Sequence, residues 1–182
     1  MADEIVVLGV GNVLEKDDGI GVYAAAWLEA NYTFDKPVTI INGGVEGINL
    51  LNVFLDHEEI IILDTLLLDD TPGSIYNIPS FELEGMGLNS GGAHEIGVLQ
   101  CMSMIELLGK EAPRSNVIGI VPESISFEIG LSDTLANAFN LFVGALLADL
   151  GQKGATPLLN EDAIPLEEIV ERFKDPSFGL QR

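Results

Sequence analysis

Residues 5–21 read Ile5-Val6-Val7-Leu8-Gly9-Val10-Gly11-Asn12-Val13-Leu14-Glu15-Lys16-Asp17-Asp18-Gly19-Ile20-Gly21. The first six form an unbroken apolar run rich in β-branched residues, the pattern of a strand covered on both faces. From residue 20 the apolar spacing becomes helical, placing Val22, Tyr23, Ala26 and Trp27 on one side of a helix over 20–30. A doubly buried strand followed by a short loop and a helix is the opening unit of a parallel α/β sheet.

The alternation continues outward from that unit. Val38-Thr39-Ile40-Ile41 is a second strand ended by Gly43-Gly44, and residues 47–56 form a second helix. Ile60-Ile61-Ile62-Leu63-Asp64 is a third strand, too apolar to face water on either side. The Asp70-Thr71-Pro72-Gly73 turn introduces a fourth strand over 73–78. Residues 84–93, with glycines at 85, 87, 91 and 92, lack periodicity and read as a mobile loop. A helix over 95–108 carries a stripe of Val98, Cys101, Met102, Ile105 and Leu108, residues 116–121 are a fifth strand, and Ser132 caps a helix reaching about 150. These elements predict an α/β three-layer sandwich, a mainly parallel twisted sheet with helices on both faces. One domain spans 1–151, and residues 152–182 form a tail. Within it Leu166, Ile169, Val170 and Phe173 define a short amphipathic helix, docked on the domain or on a partner.

Composition narrows the function. Apolar residues make up 47% of the 182 and charged residues 20%, as expected of a compact globular chain. The net charge of −21, from 29 acids against 8 bases, disfavours nucleic acid and anionic membranes as partners and favours cations or a basic protein surface. The acidic start is unlike a secretory signal, and Asn137, Asn140 and Asp149 interrupt the most apolar late stretch, residues 135–150. One cysteine, Cys101, permits no internal disulfide and suits a reducing compartment. A cytoplasmic protein is expected.

In parallel sheets ligands gather beyond the carboxyl ends of the strands. Gly9-x-Gly11 there suggests a dinucleotide loop, but Leu14 stands where the third glycine belongs and Asn42 where a ribose-binding acid would follow the second strand. Acids at 15, 17 and 18 would also repel a pyrophosphate, so no organic cofactor is expected. Asp17 or Asp18 is expected to cap the following helix, which leaves the other carboxylate for chemistry. Asp64 ends an apolar strand on the same rim, where it binds the next backbone N–H groups or a cation. His94, in Gly91-Gly92-Ala93-His94-Glu95-Ile96-Gly97, opens a helix and can turn towards the same crevice; His57 lies on the opposite rim. Two carboxylates and an imidazole are an N/O donor set for nickel, zinc or manganese, with positions left open. Cys101 reads as packed, and Ser90 lacks a nucleophile elbow, so covalent catalysis is not favoured.

At these residues the sequence resembles the nickel-iron hydrogenase maturation endopeptidases. The likeness spans about residues 5–150. It rests on Leu8-Gly9-Val10-Gly11-Asn12, Asp17-Asp18-Gly19-Ile20-Gly21-Val22 and Asp64, then His94-Glu95-Ile96-Gly97-Val98, Gly119-Ile120-Val121-Pro122-Glu123-Ser124 and Ile129-Gly130-Leu131. The resemblance implies a three-layer α/β peptidase that removes the C-terminal extension of a hydrogenase large-subunit precursor after nickel insertion. Its metal-engaging residues become Asp18, Asp64 and His94, with nickel supplied by the precursor; the first acid is Glu in some members and Asp in others. The glycine-rich loop over 85–92 would serve as a lid. A monomer suits an enzyme admitting a bulky partner. Two other readings stay open: a non-catalytic nickel-sensing assembly factor for the large subunit, and a small-molecule hydrolase or phosphorylase. The last would need basic residues on the rim, where only Lys16 stands.

Overall fold

In the computed structural model, described for residues 4–86, 93–175 and 177, four parallel strands and one antiparallel edge strand form the central sheet. The side chains of 84–86 and 93–96 lie outside that description. The parallel strands are β1 (Ile5–Val10), β3 (Val38–Gly44), β4 (Glu59–Thr65) and β6 (Arg114–Ile120). The edge strand is β5 (Ile75–Pro79), and the spatial order is β3-β1-β4-β6-β5. The remaining strands, β2 (Tyr32–Phe34) and β7 (Pro157–Leu159), pair antiparallel in a small second sheet. The helices are α1 (Ile20–Asn31), α2 (Leu51–Asp56), α3 (Ala93–Leu107), α4 (Asp133–Gln152) and α5 (Leu166–Lys174).

Alternation along each strand builds two cores. Ile5 and Val7 of β1, Ile61 and Leu63 of β4, and Ile118 and Ile120 of β6 pack with Ile20, Leu28, Phe139, Phe142 and Leu146 of α1 and α4. The intervening residues, Val6, Leu8, Ile60, Ile62 and Val117, pack with Phe54, Val98, Cys101 and Ile105 of α2 and α3. The result is the three-layer α/β sandwich expected. By the same parity Asp64 belongs to the α3 face and Thr65 to the α1 face.

Glycines set how closely the first helix rides on the strands. A Cβ on Gly21 would lie 2.2 Å from the Leu63 carbonyl oxygen and 2.5 Å from that of Val10, so α1 starts in direct backbone contact with β1 and β4. A Cβ on Gly11, at φ +136°, would lie 2.0 Å from the Asp18 carbonyl oxygen. The loop after β1 therefore folds back on itself only because these positions lack side chains.

Several local expectations change. The second helix begins as a 3-10 turn over Gly47–Leu50 before α2. Glu84 to Met86 belong to a 3-10 turn, Ser80–Met86, and Ala93 to α3; the rest of the expected loop and lid, 87–92, lies outside the described residues, as does Ser90. Leu108 leaves the apolar stripe, because α3 stops at Leu107 and Gly109 takes φ +66°, the left-handed geometry that ends helices. The fourth strand starts two residues late and runs antiparallel, with Pro79 on the sheet edge, where a missing N–H costs least.

By length and composition α4 could cross a membrane. It packs instead along the sheet through Leu135, Phe139, Phe142, Val143, Leu146 and Leu150, while Asp149 on the same side accepts from the amides of Asn77 and Asn116. This is a core helix. The tail returns to the domain: β7 adds to β2, and α5 lies on α1 with Ile169 buried and the Phe173 ring 5.3 Å from that of Tyr23, edge to face.

Candidate active site

The carboxyl ends of β1, β3, β4 and β6 share one edge of the sheet, and the first acidic loop lies across it. Residues Lys16–Gly19 form a 3-10 turn leading into α1. Neighbours in such a turn are about 120° apart, so Asp17 and Asp18 face different parts of the molecule. Asp17 faces the loop after β6. Its Oδ2 accepts the N–H groups of Glu123 (3.0 Å) and Ser124 (2.9 Å) and the Ser132 hydroxyl (2.8 Å), and its Oδ1 accepts the Ser132 N–H (2.6 Å). Ser132 in turn accepts the Leu135 N–H at the start of α4, as its N-cap role requires.

Asp18 faces β4. Its Oδ2 accepts the Asn12 N–H at 2.8 Å and its Oδ1 the Thr65 hydroxyl at 3.0 Å. Neither aspartate caps α1, whose N-cap position is Gly19 without a side-chain bond. The expectation of a helix cap fails because the turn aims one carboxylate at a distant loop and the other at the third parallel strand. Asp17 is a brace joining the loops after β1 and β6.

Asp64 is 3% exposed and Asp18 6%. Asp64 Oδ1 accepts the N–H of Thr65 at 2.8 Å, as anticipated for an acid ending a strand. Thr65 thus serves both acids, its hydroxyl on Asp18 and its N–H on Asp64. Sequence reasoning missed Thr65, whose only signal is its place directly after Asp64. A carboxylate has about four acceptor positions, and these hydrogen bonds help to fix the orientation of each group.

His94 is the second residue of α3. One turn further on, a Cβ on Gly97 would lie 2.7 Å from Gly47 Cα, so the first turns of α3 sit against the turn that follows β3, on the same carboxyl edge. The His94 side chain falls outside the described part. His57 is on the opposite edge, its Nδ1 2.9 Å from the Val53 carbonyl oxygen and its Nε2 3.9 Å from Glu4. Cys101 is buried, and burial pushes its thiol up to about 11, so it is a packing residue. Among the described residues no group of three or more His, Cys, Asp or Glu side chains is placed to hold a metal ion.

Comparison with known proteins decides the family. The hydrogenase maturation protease family model (HycI) matches residues 22–149. The chain belongs to the hydrogenase maturation protease family. It is 30% identical over 166 residues to the hydrogenase 2 maturation protease of Escherichia coli strain K12, covering 91% of this chain and 98% of that one. The fold is similar to the hydrogenase maturating endopeptidase HybD from E. coli, with TM-score 0.80, 29% identity, and 87% and 99% of the two chains covered. It is also similar to the NiFe hydrogenase maturation protease HybD from Thermococcus kodakarensis, with TM-score 0.60, 27% identity, and 79% and 96% covered. This family member is accordingly a hydrolase of the endopeptidase class, and the reading as a non-catalytic assembly factor gives way.

Proposed function

We propose that this maturation protease is a cytoplasmic monomer that removes the C-terminal extension of a nickel-iron hydrogenase large-subunit precursor after nickel insertion, and that Asp18, Asp64 and His94 engage the nickel the precursor carries. The observation that carries this reading is that Asp18 and Asp64, 46 residues apart, both accept a hydrogen bond from Thr65 at one sheet edge. The start of α3, with His94 one turn before Gly97, shares that edge. In this proposal the metal belongs to the substrate, and its open coordination positions meet the two carboxylates and the imidazole.

The donor set suits a borderline divalent ion. A precursor without metal offers these anionic side chains no cation, so docking would be weaker and the scissile bond less well held; cleavage then reports that nickel is in place. When present, the ion can polarise a carbonyl or acidify a water. Asp18 and Asp64 hold it in position, and a carboxylate is the nearby base for an attacking water.

The test is incubation of nickel-loaded and nickel-free precursor with the enzyme, followed by mass analysis of the large subunit. Loaded precursor should be shortened and nickel-free precursor left intact. Asp18→Ala, Asp64→Ala and His94→Ala should each keep the fold and lower kcat/KM at least a thousandfold, about 4 kcal/mol of transition-state stabilisation. Normal processing by all three variants sinks the site assignment, and equal cleavage of both precursors sinks the role of nickel.

A further inference from the structure

The carboxyl edge exposes more apolar surface than a site for a bare metal would need. Leu14 follows β1, Val45 and Ile48 follow β3, Leu67 follows β4, and Ile125 and Phe127 follow β6. All are exposed, Phe127 at 87% and Val45 at 61%. They come from four separate loops that meet at one edge. Leu14 accepts the Glu128 N–H through its carbonyl, which joins the loops after β1 and β6, and Gly11 donates to the Gly44 carbonyl, which joins those after β1 and β3. The apolar residues form two shelves, one after β3 and one where the β1 and β6 loops meet, and β4, which carries Asp64, lies between β3 and β6 in the sheet. Four adjacent strands span about 14 Å, which about four residues of extended chain would bridge.

We infer that the two shelves seat an extended segment of the substrate protein, with Leu14, Ile125 and Phe127 holding apolar side chains on one side of the cleaved bond and Val45 and Ile48 holding them on the other. This rests on the proposed site. A protease that cuts a protein must bring a peptide chain to its acids, and a chain entering between the loops crosses both shelves. Charge favours the same occupant. Glu46, Asp69, Asp70, Glu123 and Glu128 are exposed on these loops, and the one base there, Lys16, is already paired with Glu128 at 3.0 Å. The matching partner surface is therefore basic around an apolar segment. Single exposed apolar residues are ordinary on any surface, whereas two groups flanking buried acids are what a peptide-binding edge requires.

Val45→Ser and Phe127→Ser test the shelves in the full-length enzyme, with Leu141→Ser on the outer side of α4 as the control. Binding of the nickel-loaded precursor is measured by titration, and kcat and KM by cleavage. Each shelf variant should weaken binding and raise KM roughly tenfold with kcat within about twofold, as expected for losing one buried apolar side chain. The control should match the unaltered enzyme. Raising salt from about 0.05 to 0.5 M should weaken binding of the unaltered enzyme further, through screening. Shelf variants that bind and cleave like the control overturn the inference. Failure of the metal-site reading looks different: Asp64→Ala would then still cleave, whatever the shelf variants do.

Discussion

The two edges of the sheet treat their acids differently. At the amino edge Glu59, the first residue of β4, is held between Arg114 (2.7 Å) and Lys153 (2.7 Å), and Lys153 also approaches Asp149 at 3.8 Å. At the carboxyl edge Asp64, on the same strand, accepts from the backbone N–H of Thr65, and Asp18 from a backbone N–H and the Thr65 hydroxyl. Neutral donors orient a carboxylate without cancelling its charge, whereas an ammonium or guanidinium neutralises it. One end of β4 thus carries an ion-pair network, and the other carries two acids that share Thr65 as a hydrogen-bond donor. The difference teaches where to look for chemistry in this fold: at the acids that Thr65 orients at the carboxyl end of β4.

Asp17 offers the hardest break to the carboxyl edge. It takes four hydrogen bonds from the loop that starts α4, and it is fully buried. Asp17→Ala leaves those donors without an acceptor and removes the side-chain bonds that help to join the loops after β1 and β6. The expected cost is about 3 kcal/mol, a fall in melting temperature of roughly 10 °C. Activity should fall with it, because Asp18 is the next residue in the same turn. Asp17→Asn keeps the shape and supplies one acceptor, so it should recover part of the stability. A melting curve for Asp17→Ala that overlays the unaltered protein would mean that the brace contributes nothing.

Thr65 sharpens the comparison more gently. Thr65→Val removes the hydroxyl that Asp18 accepts and keeps the N–H that Asp64 accepts. Loss of such an orienting partner costs about 10–100-fold in function at sites of this kind. The variant should therefore lose kcat/KM by that amount with its melting temperature nearly unchanged, since the methyl groups still fill the space. A fall equal to that of Asp64→Ala would mean that Thr65 touches the reacting groups itself.

Much of this arrangement is legible in the residues. Ile60 to Leu63 are apolar without a break, which admits only a strand buried on both faces, and Asp64 then has to lie at its carboxyl end. Gly9, Gly11 and Gly21 mark a tight strand-to-helix loop in either reading of its purpose. The fates of Asp17 and Asp18 were not legible, since adjacency says nothing about which way a 3-10 turn points each side chain. The pairing of β2 with β7 also escaped: each has three residues, and they lie more than 120 positions apart. Thr65 carries no pattern at all. Its role comes from parity along β4 and from α1 pressing close at Gly21, both properties of the assembled sheet.

Glu59 gives the smallest expected effect and the clearest control for the two-edge contrast. Burial opposes ionisation of its carboxyl, but the bonds from Lys153 and Arg114 outweigh that and hold it below the ordinary carboxylate value of 4.5. A folded-state value lower than the unfolded one means the carboxylate adds stability above about pH 4.5, and that this contribution is lost as acid brings the pH down through the folded value. Arg114 is largely exposed, so solvent screening leaves the network worth at most about 1 kcal/mol. Glu59→Gln should therefore lower the melting temperature by about 2–4 °C at pH 7, and the deficit should shrink as acid brings the pH down through the folded value. Cleavage of the precursor should be unchanged, because the substitution lies at the far end of the strand from Asp64. If Glu59→Gln slows cleavage as much as Thr65→Val does, the two edges are coupled and the division of labour along β4 does not hold.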